Sequence, residues 1–376
     1  MKTHDPWKRF QEVAESPWPF VRAWKKNTRR KIVGHLLPDV PEEIIHAAGA
    51  LPVAIEGAGV PVRLSQNQIP GYSCSHSMGA LELALSGELE DFDGMVIPYV
   101  CDTTRNLFHI WTHSFPRMTS EFLRLPKRID HPKAREYLRA EFARFFQSMT
   151  KLTGSDNGTE KLAASVELYN QSRQALRRAY KMKLEHPAVW TSERVQTVFS
   201  ASLRMPRDEH LVWMDDLPWN ESVQETGSRI PIYVRGKVWD PPHILDLLDN
   251  LGLLVVEDEI VTGYRAVAQD AIDDDPLEAL VTRHVATTPY TGYHQDPEQM
   301  TAAFVDRVRA SGAHGVIFLN PKFCEAAGFD TPDFRTALES AQIPTLVLET
   351  SSRGYSLGQL EVRLEAFREM LASDLP

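Results

Sequence analysis

Apolar residues along this chain fall into two patterns, short unbroken runs and stripes at helical spacing, and their alternation predicts strands alternating with helices. From Lys31, KIVGHLLP is an apolar run. Pro41-Glu42-Glu43-Ile44-Ile45 then opens a helix with proline in its first turn and acids at its positive end. Gly49 stands where a C-cap is expected, LPVAIEG reads as the next strand, and GMVIPYV (94–100) as another, ending directly at Cys101. Over 131–182, Tyr137, Leu138, Phe142, Phe145, Met149 and Leu152 make one helical stripe. The polar turn GSDNG (154–158) interrupts it, and Leu162, Val166, Tyr169 and Leu176 make a second. Further on, RIPIYVRG, LLVVEDEI, HGVIFLN and IPTLVLET read as strands. PPHILDLLDNLGL, TAAFVDRVRASG, DFRTALESA and a last stripe of Leu357, Leu360, Leu364, Phe367 and Leu371 read as helices.

Strands alternating with helices argue for parallel sheets covered on both faces. The expected fold class is α/β: two Rossmann-like parallel-sheet domains with an N-terminal helical arm and inserted helices. Residues 1–30 form the arm, carrying Trp7, Trp18, Trp24 and a cluster of Lys and Arg that reads mainly as a solvated face with aromatic anchors. Residues 31–205 form the first α/β domain, with Cys74 and Cys101. The polar stretch 206–228 reads as a linker or an active-site loop, and 229–376 form the second α/β domain, with Cys324.

Composition narrows the function classes. A chain of 376 residues with 43% hydrophobic and 24% charged residues is ordinary for a globular protein. A net charge of −10 argues against a nucleic-acid partner, which needs clustered Lys and Arg. No stretch is long and apolar enough for a membrane helix, and the polar N-terminus lacks the apolar core of a signal peptide, so a cytoplasmic location is expected. Three cysteines are too few for a disulfide scaffold.

Those cysteines carry the candidate chemistry. Cys74 lies in GYSCSHSMG, Cys101 in IPYVCDTTRN and Cys324 in FLNPKFCEAAG, each at or near the end of a strand, where open parallel sheets gather ligands. Three thiolates meeting between two domains suit a soft metal or an iron–sulfur cluster. The wide spacing, without a CxxC hairpin, disfavours structural zinc and simple ferredoxin motifs. Spacing alone leaves three readings open: a cluster or metal, buried thiols, or a nucleophile.

The text around the cysteines goes further. GYSCSHSMGALELALSGELEDFDGMVIPYVCDTTRNLF, preceded by PEEIIHAAGALPV, resembles subunits of the 2-hydroxyacyl-CoA dehydratase and benzoyl-CoA reductase family. So do VELYNQSRQALRRAY, VVEDEIVTGYR, GVIFLNPKFCE and IPTLVLETSSRGYSLGQLEVRLEAF, in the same order from about residue 31 onward. The resemblance implies a [4Fe–4S] cluster bound by Cys74, Cys101 and Cys324, with its fourth iron open to water, a protein atom or substrate. It implies a homologous cluster-bearing partner subunit, a separate cluster-containing ATPase fed by ferredoxin, and an acyl-CoA substrate. Texture and length are most similar to the smaller cluster-bearing subunit of ATP-dependent benzoyl-CoA reductase, which reduces the aromatic ring to a cyclic dienoyl-CoA. The alternatives are a dehydratase subunit, which eliminates water by radical chemistry, and a non-catalytic relay or scaffold subunit. Low potential would call for a cluster away from water with few hydrogen bonds to its sulfurs.

Other residues have two readings each. His76 and His109 could give a proton or bond a cluster sulfur, or simply pack. Glu56 ends a strand near the expected cleft and is a candidate acid/base. Ser75 and Ser77 could offer an oxygen to iron or satisfy backbone groups. Arg105 could meet a CoA phosphate or pair with a carboxylate, and Asp102 could hold the loop's amides. Asp258, Glu259 and Arg265 read as an ion-paired loop, and Gly263 as a special backbone conformation. Gly354 and Gly358 could cradle a phosphate before the last helix. No G-x-x-x-x-G-K-[ST] loop is present, so ATP hydrolysis belongs to another subunit.

Overall fold

The computed structural model of the protein describes residues 5–36, 39–156, 158–221, 223, 229–241, 243–287, 292–351 and 357–373. The arm is two helices, α1 (Pro6–Glu15) and α2 (Pro17–Thr28), each with a proline in its first turn. Asp5 caps α1 by accepting the Trp7 amide at 3.0 Å. The arm is docked through more than its tryptophans. Phe10 and Val13 are buried in a core shared with Trp190, Val195 and Phe199, and Lys25 reaches Asp93 at 2.9 Å.

The first sheet is built by β1 (Ile32–His35), α3 (Glu42–Ala47), β2 (Leu51–Ala54), α4 (Ser75–Leu85), β3 (Gly94–Pro98), α5 (Asp102–Ser114) and β4 (Thr119–Leu123). All pairs are parallel, in the order β2-β1-β3-β4. Gly49, at φ +90, turns the chain out of α3, as expected of a C-cap glycine. A helical layer follows: α6 (Ala134–Thr153), α7 (Thr159–Glu185), α8 (Ser192–Ser202) and α9 (Arg207–Asp215). The second sheet contains β5 (Ile230–Gly236), α10 (Ile244–Asn250), β6 (Leu253–Asp258), α11 (Tyr264–Val267), α12 (Pro276–Ala286), α13 (Pro297–Ala310), β7 (Gly315–Pro321), α14 (Glu325–Ser340), β8 (Thr345–Thr350) and α15 (Leu357–Ser373). Its order, β6-β5-β7-β8, repeats the first: the second strand beside the first, then a crossing to the third and fourth. The α/β class and the two Rossmann-like parallel sheets are therefore as expected.

Several details differ from the sequence reading. The start of the supposed linker is α9, which buries Arg207, His210 and Met214; residues 222 and 224–228 of that stretch lie outside the described residues. The edge strand β4 carries no clear sequence signal, because TSEFL is short and centres on Glu121, which Arg144 neutralises at 2.6 Å. Tyr137 leaves the stripe of α6: Leu138, Phe142, Phe145 and Met149 are buried, whereas Tyr137 is 47% exposed. In α15, Leu360, Leu364, Phe367 and Leu371 are buried as expected. The core of the first sheet also takes in Val238, Val261, Leu280 and Val281, so residues from the second half of the chain help close the first.

Candidate functional site

Each of the three cysteines is the N-cap of a helix: Cys74 of α4, Cys101 of α5 and Cys324 of α14. Cys101 and Cys324 follow β3 and β7, the third strand of each sheet, and so hold equivalent places in the two repeats of one topology. Both stand at the crossing where strand order reverses, the point at which such sheets receive ligands. A helix N-terminus offers unpaired amides and a partial positive charge, which favours an anion such as a thiolate.

At Cys101 the arrangement is a full capping box. The sulfur accepts the amide of Thr104, and the Thr104 hydroxyl accepts the Cys101 amide at 3.2 Å. At the other two sites the third-residue amides, Ser77 and Ala327, lower the thiol pKa without completing that geometry. Cys74 Sγ also lies 3.4 Å from Ser77 Oγ. These sulfurs are therefore better supplied with hydrogen bonds than the low-potential expectation assumed.

The thiols lie close enough for their charges to act on one another. Burial, then the charge of Cys324, then that of Cys101 push the Cys74 thiol up to about 11. Burial also raises Cys324, against the lowering charge of Lys237. The three sulfurs do not all approach within 4.8 Å; among the described residues only Glu193, His243 and Asp246 form such a group. One tetrahedral ion with Zn–S of ~2.3 Å needs sulfurs roughly 4 Å apart. That disfavours a single tetrahedral ion, while thiolates are the donors that an iron–sulfur cluster takes.

The helix bearing Cys74 is seated by two glycines. A Cβ on Gly57 would stand 2.0 Å from the His76 carbonyl oxygen, and one on Gly79 2.0 Å from the Gly57 carbonyl oxygen. Only bare backbone on both sides allows the loop after β2 to lie on α4. Glu82, one turn further along, accepts the amides of Leu64 and Ser65 at 2.8 Å and pins the next loop. Ser75 donates to Asp240 Oδ2 at 2.8 Å, tying α4 to the loop after β5, so this serine is committed to the other half of the chain.

His76 is buried beside Cys74. Its Nδ1 accepts the Gly57 amide at 3.3 Å, leaving the ring proton on Nε2, which has no partner among the described residues. Burial lowers its pKa to about 4, so it is a neutral donor at pH 7. His109 is exposed on α5, eight residues beyond the capping cysteine and therefore about 12 Å along the helix. Glu56 is ion-paired with Arg204, and both border a cavity of ≈ 420 Å³ that also meets Trp18, Glu193 and Trp239.

Asp102 and Arg105 pair with each other at 3.5 Å on the surface. The ion-paired reading of the second crevice holds: Glu259 bonds Arg235 and Arg307, and Arg265 lies 3.4 Å from Asp39. Asp258 instead accepts the amides of Ile260 and Tyr264. Gly263 is needed for a different reason than expected. Its backbone is extended, at φ −136, but a Cβ there would stand 2.2 Å from Asp258 Oδ1. Gly354 lies outside the described residues, and Gly358 has open space around it.

Two features had no sequence signal. Glu193, His243 and Asp246 converge from α8 and α10; Glu193 is raised to about 7 by a hydrogen bond with Asp246, burial and that carboxylate's charge. Lys127, from the loop after β4, donates to the carbonyls of Val100 at 2.5 Å and Gly292 at 3.3 Å, and burial lowers its pKa to about 8 against the opposing charge of Cys101. It braces the Cys101 loop against the second half of the chain.

A family model described as 2-hydroxyglutaryl-CoA dehydratase, D-component, matches residues 39–371. The chain is 24% identical over 370 residues to the (R)-phenyllactyl-CoA dehydratase beta subunit of Clostridium sporogenes, covering 96% of this chain and 97% of that one. It is 26% identical over 372 residues to the beta subunit of (R)-2-hydroxyglutaryl-CoA dehydratase from Acidaminococcus fermentans, covering 96% and 98%. It is also 26% identical over 334 residues to a benzoyl-CoA reductase subunit of Thauera aromatica, covering 86% of each.

Proposed function

The chain belongs to the 2-hydroxyglutaryl-CoA dehydratase D-component family, and from that membership we propose that it is the [4Fe–4S]-bearing subunit of a multi-subunit enzyme acting on an acyl-CoA. One observation carries the reading. Three cysteines far apart in sequence each cap a helix, and the charges of Cys324 and Cys101 both reach the Cys74 thiol. Cys74, Cys101 and Cys324 would hold the cluster through three irons. Bound there, it would supply single electrons at low potential to the acyl-CoA. The chain's own residues do the rest: the helix N-termini stabilise the thiolates, Lys127 braces the Cys101 loop, and His76 keeps a buried neutral N–H beside Cys74. A homologous cluster-bearing partner, and an ATPase activator charged by ferredoxin, complete the assembly in this proposal.

The finer reading is reduction of benzoyl-CoA to a cyclic dienoyl-CoA, in an oxidoreductase of anaerobic aromatic degradation. Elimination of water from a 2-hydroxyacyl-CoA is the second reading, and one observation favours it. The dehydratase beta subunits align over 96% of the chain, the benzoyl-CoA reductase subunit over 86%. The first test is iron and acid-labile sulfide after anaerobic purification, with about four of each per chain expected, lost in air. Cys101→Ala is expected to lose most of that iron; a variant with its full iron content would remove Cys101 from the ligand set. With partner and activator present, turnover of benzoyl-CoA or of a 2-hydroxyacyl-CoA then assigns the reaction.

A further inference from the structure

The loop that Lys127 belongs to also forms one wall of an open groove of ≈ 550 Å³, the size of small-molecule sites in general. It lies past the carboxyl ends of β3 and β4 and runs from Tyr99, two residues before Cys101, to the first turn of α6. In a chain of net charge −10, its lining contains Arg124, Lys127, Arg128, His131 and Lys133, and no Asp or Glu. Arg128 and Lys133 have surface partners, Asp130 at 3.1 Å and Glu136 at 2.6 Å, which an anion could displace at little cost. Arg124 and Lys127 make no ion pair within 4.0 Å among the described residues. Lys127 spends its donors on carbonyls instead.

Three rings share the groove with these cations: Tyr99, Phe122 and Tyr137. Tyr99 and Phe122 lie 5.8 Å apart with planes 36° from parallel, and Lys127 sits 4.5 Å over the Tyr99 ring. Tyr137 is the residue that left the apolar stripe of α6, and its exposed ring faces this space. Such a site takes a ligand that is planar at one part and multiply anionic at another, since bases stack on aromatic rings and phosphates pair with guanidinium and ammonium groups. A phosphorylated adenine nucleotide meets both demands. We propose that this groove binds the phosphorylated adenosine end of the acyl-CoA, with the acyl arm leading inward past Tyr99 toward Cys101. The identity of the ligand rests on the acyl-CoA reading above; the groove and its charge do not.

The test is titration calorimetry on the full chain, purified anaerobically, with CoA, dephospho-CoA, adenosine 3′,5′-bisphosphate and ATP as probes. CoA and the bisphosphate are expected to bind, with dephospho-CoA several-fold weaker. Arg124→Gln and Tyr137→Ala, both at side chains lining the open groove, are each expected to weaken CoA binding about ten-fold, with iron content and thermal midpoint unchanged. Lys127 is left intact because it braces the Cys101 loop. CoA affinity unaltered in both variants, or no binding of CoA, overturns the proposal. ATP binding that CoA does not displace would assign the groove to a free nucleotide and overturn it too. So would variants that bind CoA normally but lose coupling to an activator protein, which would mark a protein-docking face. Iron content reports separately on the cluster: CoA bound at this groove in a chain without iron would sink the cluster assignment and leave the groove standing.

Discussion

Gly57 and Gly79 set the position of Cys74 through contacts that no side chain makes. Each brings its bare backbone to within a distance at which any Cβ would collide with a carbonyl oxygen of the facing segment, and neither contact can yield without moving α4. Gly79→Ala is therefore expected to cost about 1–3 kcal/mol, as overpacking does. It should also shift the Cys74 thiol, seen as altered iron retention or faster alkylation in iron-free protein. Gly71→Ala is the control, because a Cβ there meets nothing within 4 Å. A Gly79→Ala protein with unchanged denaturation midpoint and thiol reactivity would show that the close approach is not what seats the helix.

At the scale of elements, α3 is locked to the helical layer by buried ion pairs. Glu42 and Glu43 lie in its first turn, where the sequence suggests they complement the helix dipole. They do so from the interior: Arg207 of α9 donates to Glu42 at 2.8 Å, and Arg173 of α7 to Glu43 at 2.6 Å. Burial opposes the charge on Glu42, but Arg207 and His35 outweigh it and hold its pKa at about 2. Removing one partner strands a buried charge, so Arg173→Met is expected to destabilise the fold by about 3–5 kcal/mol. The double variant Arg173→Met/Glu43→Leu should recover much of that loss. Chemical denaturation measures both, and equal loss in single and double variants would refute the pairing argument.

For the whole molecule, buried histidines predict the response to acid. Burial first, then nearby guanidinium charge, lowers His210 to about 3; burial is also the main cause that takes His284 to about 4. The unfolded chain binds these protons near pH 6.5, and the folded one does not until far lower. Their contribution is therefore complete above pH 6.5 and is lost as pH falls toward 4, at up to about 1.4 kcal/mol per pH unit for each. Asp258, raised to about 6 by burial, works in the opposite sense below that pH and offsets part of the slope. His210→Gln is expected to flatten the dependence of the denaturation midpoint between pH 6 and 4. A slope identical to that of the parent chain would contradict it.

The order of strands and helices, their parallel pairing and the core faces of α6, α7 and α15 were legible in the sequence, because hydrophobic periodicity records burial element by element. Cys101 and Cys324 were legible as candidates for the same reason: each follows an apolar run that ends where chain direction changes, whereas Cys74 follows a polar stretch well past the end of β2. Tertiary structure decided what depends on segments distant in sequence. It made each cysteine a helix cap, turned α9 from linker into core, drew Glu56 into an ion pair with Arg204 and left His109 on the surface. Periodicity is a property of neighbours along a chain, whereas a site is made of residues brought together across it. The close approach of Gly57 to α4 and the basic groove at Tyr99 and Tyr137 exist only once separate segments are packed, and the brace of Lys127 only once both halves of the chain are.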